Sequence, residues 1–174
     1  MELEPTGTPV VAVCGLGFEA AIAAGPGVVT VCATGPVALA ARLDKLLATT
    51  GQACGGIVSF GSAGGLDPAL APGRCVIASE VLTARGCIGT DRDWMRALLA
   101  CLPHASPGAL AAASAPVDSV AAKARLWRHS GALAVDMESH VAALAAQRHG
   151  LPFAALRVVL DPAWRALPPA ATAG

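Results

Sequence analysis

Tyrosine is absent from this chain of 174 residues, and aromatic residues of all kinds make up only 3% of it. Charge is scarce as well, at 14%, and the formal net charge is zero. No block of lysine and arginine occurs, which argues against a nucleic-acid partner. No uninterrupted run of about 18 apolar residues occurs, so no membrane-spanning helix is expected. The opening Met1-Glu2-Leu3-Glu4-Pro5 is acidic and leads into no long apolar stretch, so no secretory signal is expected. The six cysteines form no CxxC pair. They are read as small hydrophobes in a reduced, cytoplasmic protein, and a zinc site is not expected. His104, His129, His140 and His149 follow no metal spacing either.

What remains is an apolar chain. Hydrophobic residues reach 55%, much of it alanine, in a length that suits one domain with a real core. Such a composition can leave apolar surface exposed, suited to an oligomer interface or a greasy ligand. Short β-branched runs alternate with alanine-rich helical stretches. Strands are expected at Val10–Val13, Val28–Cys32, Gly55–Phe60, Cys75–Leu82, Leu133–Val135 and Phe153–Leu160. Helices are expected at Val37–Ala48, Asp91–Leu102 with Asp91 as N-cap, Asp118–His129 and Glu138–His149. Residues 163–174, rich in proline and alanine, are expected to be loosely ordered. Near-continuous apolar strands separated by helices imply an α/β sandwich with a largely parallel or mixed sheet.

Ligands of open α/β sheets bind at the carboxyl ends of strands. There the sequence places Gly15-Leu16-Gly17-Phe18-Glu19, Thr34-Gly35, Gly61-Ser62-Ala63-Gly64-Gly65, Asp136-Met137-Glu138 and Asp161. Each has a plain reading. The glycines can make a tight turn or let a ligand approach the backbone closely. Asp136 and Glu138 can be helix N-terminal acids or can hold a ligand. Asp161 before Pro162 can be a turn former. Gly15-x-Gly17-x-x-Ala20 also matches a dinucleotide fingerprint. Against that reading stand the early Gly25-Pro26-Gly27, the lack of an acid after the second strand, and Glu19 where a pyrophosphate would bind. Arg157, among apolar neighbours, is read as half of a buried ion pair.

Two long stretches, "GIVSFGSAGGLDPALAPGRCVIASEV" and "GALAVDMESHVAALAAQRHGLPFAALRVVLDPA", together with "VAVCGLGFEA", resemble the purine nucleoside phosphorylase and nucleosidase superfamily over nearly the whole chain. The nearest likeness is to the hopanoid-associated phosphorylases, suggested by "AVDMESHVAA" and "DPAWRALPPAA". The resemblance implies a three-layer α/β sandwich with a central mixed sheet, in a single domain spanning 1–174 without the C-terminal helix of its relatives. It implies release of adenine from a 5′-substituted adenosine, adenosylhopane being the best fit, without a cofactor. Glu138 would accept hydrogen bonds from the ribose hydroxyls, with Met137 against the sugar and Asp136 beside them. Asp161 would act at purine N7. Ser62, Ala63 and Gly64 would line the sugar and base, and Val117 the purine.

Glu19 would orient a water, although its spacing from Gly15 is one residue short. Thr34, Gly35 and Ser62 would serve a phosphate or water site. Homodimers or higher homo-oligomers are implied. The phosphorylases typically carry arginine where Ser59 stands, which favours water as acceptor. They usually carry serine where Leu160 stands. Asp161→Asn is expected to cut turnover with little loss of folding. The rival readings are a non-catalytic nucleoside-binding or assembly module and an NAD-dependent enzyme.

Overall fold

A computed structural model of the chain describes residues 7–50 and 54–167. The described elements run β1 (Val10–Cys14), α1 (Gly17–Ala23), β2 (Val28–Cys32), α2 (Pro36–Thr50), β3 (Gly56–Gly65), β4 (Cys75–Thr83), β5 (Gly86–Gly89), α3 (Arg92–Cys101), β6 (Ser106–Ala112), α4 (Val120–Ser130), β7 (Ala134–Asp136), α5 (Ser139–His149) and β8 (Phe153–Asp161). This is a mixed α/β fold with a central mixed sheet, as the sequence pattern implies. Parallel β1, β2 and β3 form one side. Beyond them the sheet closes on itself. β3 pairs with β8 and β7, β8 with β4, β4 with β6, and β6 with β7. The short β5 extends this circuit antiparallel to β4.

The core follows from the apolar runs. Val13, Ile57, Val76, Leu110 and Val159 are fully buried on the strands. Each such side chain gains about 1.5–3 kcal/mol on leaving water. In α2, Leu39, Leu43 and Leu47 recur every fourth residue and are buried, so one helical stripe faces the sheet. α5 packs against β3 and β4 through Ala142, Ala143, Ala145 and Ala146, all buried. Alanine lets this helix lie close to the strands, which explains much of the alanine excess. Its end is set by Gly150, which takes a left-handed φ of 63° that glycine tolerates. Asp91 caps α3 as expected, accepting from the N–H groups of Asp93 and Trp94 at 3.0 and 2.9 Å.

Three differences from the sequence pattern matter. β3 does not stop at Phe60 but continues through Gly65. Its glycine-rich end is paired strand, not a turn. β6 and β5 were not expected, because "SPGALAA" and "GCIG" carry almost no β-branched residues; pairing with β4 overrides weak local preference. Of the stretch expected to be loose, residues 163–167 are tied back to the fold: Leu167 N–H donates to the Asp118 carbonyl at 2.8 Å, and Ala163 is buried. Residues 168–174 lie outside the described residues. Among the described residues no helix is long and apolar enough to cross a membrane.

Candidate active site

The closing of the sheet brings the ends of β3, β7 and β8 together. Gly64 pairs with Asp161 of β8 on one side and with Val135 of β7 on the other. A bulge at Ala63/Gly64 skips Leu160, which turns out to solvent and leaves Asp161 opposite Gly64. A β-carbon on Gly64 would stand 3.1 Å from Asp161 Oδ2, so the glycine is what lets the carboxylate lie against the strand. Gly64 thus stands beside Asp161, Ser62 pairs with Val158 earlier on β8, and β7 ends at Asp136 with Met137 and Glu138 following. Ala63 is buried in the core.

Glu19 joins this group from α1. It is buried, and its two oxygens accept four hydrogen bonds. Oε2 takes the N–H groups of Gly15 and Leu16 at 3.1 and 3.0 Å, and Oε1 takes the N–H and hydroxyl of Ser62 at 2.8 and 2.7 Å. An ionised carboxylate offers about four lone-pair sites, so Glu19 is filled. Its own side chain thereby occupies the N–H groups that a pyrophosphate would need in the dinucleotide reading. α1 spans seven residues, and that also counts against this reading. Burial, with the Glu19 charge adding to it, pushes the neighbouring Cys14 thiol up to about 11, so it stays neutral.

Below Glu19 lies a buried ion pair. Arg157 of β8 is fully buried, and its Nε stands 2.5 Å from Asp136 Oδ2. Its Nη2 donates to the Ser59 hydroxyl at 2.6 Å and reaches Ser139 Oγ at 3.3 Å. Ser139 completes the knot by donating its N–H to Asp136 Oδ2 at 3.2 Å and its hydroxyl to the same oxygen. The expected ion pair of Arg157 is therefore present, and Asp136 is its partner, held away from solvent. Ser59 of β3 thus receives the guanidinium of the neighbouring strand β8. Gly61 makes room for it: a β-carbon there would lie 2.5 Å from Arg157 Nη1 and 2.7 Å from Glu19 Cδ.

Glu138 is the N-cap residue of α5. One oxygen lies 3.6 Å from Arg157 Nη2, and the side chain is 17% exposed. Its carboxyl is held above its ordinary value, first by burial, then by the charges of Asp136 and Glu19; Arg157 opposes them. Met137, half-buried, precedes it. Val117, also half-buried, packs with Leu66, Ala111 and Val135 near the end of β7. Thr34 and Gly35 follow β2, and no hydrogen bond or ion pair among the described residues joins them to the cluster.

Ser139 and Lys123 were not singled out from the sequence. Lys123, fully buried on α4, sends its ammonium to Asp161 Oδ2. A signal was there: Lys123 shares a helical face with Leu126 and Trp127, at i+3 and i+4, which pack against a core cluster. Two surface clefts lie elsewhere, one around Arg74 and His104, the other around Asp91 and Gln147, and neither touches this cluster.

A family model described as Phosphorylase superfamily matches residues 5–171. Solved structures share the fold at low identity. An S-adenosylhomocysteine nucleosidase from Streptococcus pyogenes, in complex with 5-methylthiotubericidin, is 17% identical with a TM-score of 0.80, over 91% of this chain and 86% of that one. The 5′-methylthioadenosine/S-adenosylhomocysteine nucleosidase from Helicobacter pylori, with butyl-thio-DADMe-Immucillin-A, is 16% identical with a TM-score of 0.79, over 92% and 88%. The corresponding enzyme from S. pneumoniae, with a transition-state inhibitor, is 20% identical with a TM-score of 0.78, over 89% and 86%. No curated protein sequence matches the chain.

Proposed function

The chain belongs to the Phosphorylase superfamily, and from that premise we propose that it is a purine nucleosidase that cleaves the N-ribosyl bond of a 5′-substituted adenosine and releases adenine. The observation that carries this reading is the junction at Gly64, where β8 brings Asp161 and β7 leads to Glu138 on either side of one strand end. In the reaction the bond between C1′ and N9 breaks, and its electron pair passes to the purine. Asp161, ion-paired at rest, takes a proton from solvent as the nucleoside binds and passes it to N7, which neutralises the departing base. Water bonds to C1′, and its released proton returns to the surrounding carboxylates. Glu138 accepts the ribose hydroxyls, which a carboxylate can do two at a time. Met137 packs on the sugar, Ser62, Ala63 and Gly64 line the sugar and base, and Val117 flanks the purine. Asp136 acts one step back, through Arg157.

Water is the better acceptor on electrostatic grounds. Asp136, Glu138 and Glu19 surround the single guanidinium of Arg157, and such a cluster repels an incoming phosphate. Thr34 and Gly35 offer it no cation. Glu19 orients the water only by yielding one of its four donors, for which the Ser62 hydroxyl is placed. The 5′ group is read as lipophilic, adenosylhopane in hopanoid biosynthesis being the specific proposal. Two observations support it: the motifs "AVDMESHVAA" and "DPAWRALPPAA", and the exposed apolar side chains Leu160 and Trp164 next to Asp161. We take residues 1–174 as a single domain acting as a homo-oligomer in the cytoplasm.

One assay tests the reading. Adenosines with apolar and polar 5′ groups are incubated with the protein, with and without phosphate, and free adenine is followed. Release without phosphate is expected. Release that requires phosphate would make it a phosphorylase. Binding with no adenine from any analogue would favour a non-catalytic nucleoside-binding module.

A further inference from the structure

Lys123 is a fully buried cation whose contacts all run to one place. An ammonium has three N–H donors. They meet Asp161 Oδ2, the Pro162 carbonyl at 3.1 Å and the Arg165 carbonyl at 2.8 Å, with the Asp161 carbonyl further off at 3.4 Å. The same segment is tied to the start of α4 a second time, by Leu167 N–H to the Asp118 carbonyl at 2.8 Å. The chain leaving β8 is therefore pinned at both ends of 161–167, and the nearer pin includes the carboxylate itself. Burying an ammonium costs several kcal/mol before its partners repay it. An apolar side chain beside Leu126 and Trp127 would avoid that cost, so packing alone does not explain a lysine there.

We propose that Lys123 is a positioning residue for N-ribosyl cleavage: by holding Asp161 Oδ2 it leaves Oδ1 as the oxygen presented to the purine, and it sets a fixed positive charge behind the group that faces the leaving base. The proposal rests on the reading of Asp161 as the group at N7. It accounts for the geometry at Gly64, where Oδ2 is held 3.1 Å and Oδ1 3.6 Å from the position of a β-carbon. Neither the bulge nor the bare glycine orients the carboxylate by itself; the ammonium does. Developing negative charge on the purine then meets a carboxyl backed by a cation that does not need to reorganise.

The chain has two lysines, Lys123 and the exposed Lys45, which makes the test clean. In Lys123→Met, kcat is expected to fall by about 10²-fold, the effect of a misplaced reacting group. KM should change less than about threefold, since Glu138 and Ser62 still hold the sugar. In Lys123→Ala, ethylammonium should restore part of kcat, and tetramethylammonium, which has no N–H to donate, should not. In the unmutated protein labelled with 15N-lysine, the buried ammonium resonance should move on binding adenine and stay put on binding 7-deazaadenine, which lacks N7. This last measurement decides the matter if the variants do not fold. Retention of kcat in folded Lys123→Met, or an ammonium resonance indifferent to adenine, would overturn the assignment. If unmutated protein turns over, Asp161→Asn does not, and Lys123→Met does, only the role of Lys123 falls. If unmutated protein releases no adenine from any nucleoside, the reading of the site itself falls.

Discussion

Glu138 packs its carboxylate onto the bare α-carbon of Gly15: a β-carbon there would lie 2.7 Å from Glu138 Oε1 and 2.9 Å from its Cδ. The end of β1 thus sets the position of the proposed sugar clamp. In Gly15→Ala the carboxylate must move, and it is the far end of a flexible side chain. Stability should fall by about 1 kcal/mol, the usual size of a single substitution, because Gly15 is buried but the carboxylate can give way. KM for the nucleoside should rise by about tenfold, a loss of roughly 1.4 kcal/mol of binding. Steady-state kinetics beside a urea titration separates the two effects; a large loss of stability with unchanged KM would remove Glu138 from the sugar.

Glu138 also makes stability depend on pH. Its folded-state carboxyl is raised above the ordinary 4.5, chiefly by burial and then by Asp136 and Glu19. For an acid raised on folding, the folded state holds the proton more tightly than the unfolded chain. The contribution to stability is complete below the ordinary value and is lost as pH rises through the raised one. Accepting from ribose hydroxyls requires the ionised form, so kcat/KM should rise over the same window. Glu138→Gln should flatten the stability curve there and remove that limb of the kcat/KM profile. Parallel denaturation and kinetic series from pH 4 to 8 would show it.

Arg157 and Asp136 are both shielded from solvent, with side-chain exposures of 0% and 1%. Removing one member of such a pair strands the other. Asp136→Ala should cost about 3–5 kcal/mol and Arg157→Met a similar amount. Replacing both with apolar residues should cost less than either single change. A double-mutant cycle by chemical denaturation measures this coupling. Additive losses would mean the two charges are satisfied by other groups.

The fold was legible where periodicity was strong and illegible where it was not. β2 has the expected ends because Val28–Cys32 is a β-branched run between a turn and Thr34-Gly35. β6 escaped notice because Pro107, Gly108 and its three alanines carry no strand preference of their own; β4 supplies it. The residues proposed for the site were legible as strand ends, since Ser62, Gly64, Glu138 and Asp161 all follow apolar runs. Their partners were not. Nothing local tells Arg157 to choose Asp136, 21 positions away, or Lys123 to choose Asp161. Those choices depend on how the sheet closes through β7 and β8. Glu19 was legible as a residue, but its partners were not. Its place after β1 suggested a group free to orient water, whereas the turn and Ser62 already fill its oxygens.

Asp161→Asn separates chemistry from structure, and the lysine changes what is expected of it. From sequence alone the substitution would leave folding nearly intact. Yet asparagine would keep an acceptor for Lys123 while removing its counter-charge, and Lys123 is fully buried. A stability loss of about 3 kcal/mol is expected, as for other buried pairs broken on one side. Turnover should fall by about 10²–10⁴-fold, the usual contribution of a positioned acid. The two losses have different cures. Adding Lys123→Met to Asp161→Asn removes the stranded ammonium and should recover much of the stability, because methionine leaves no buried charge without a partner and the half-buried asparagine can meet water. It cannot recover turnover. A double variant that is as stable as the unmutated protein would assign the lost stability of Asp161→Asn to the stranded ammonium, and turnover below that of Lys123→Met alone would assign the further loss to the missing acid. A double variant no more stable than Asp161→Asn would show that the carbonyls of Pro162 and Arg165 already suffice for Lys123.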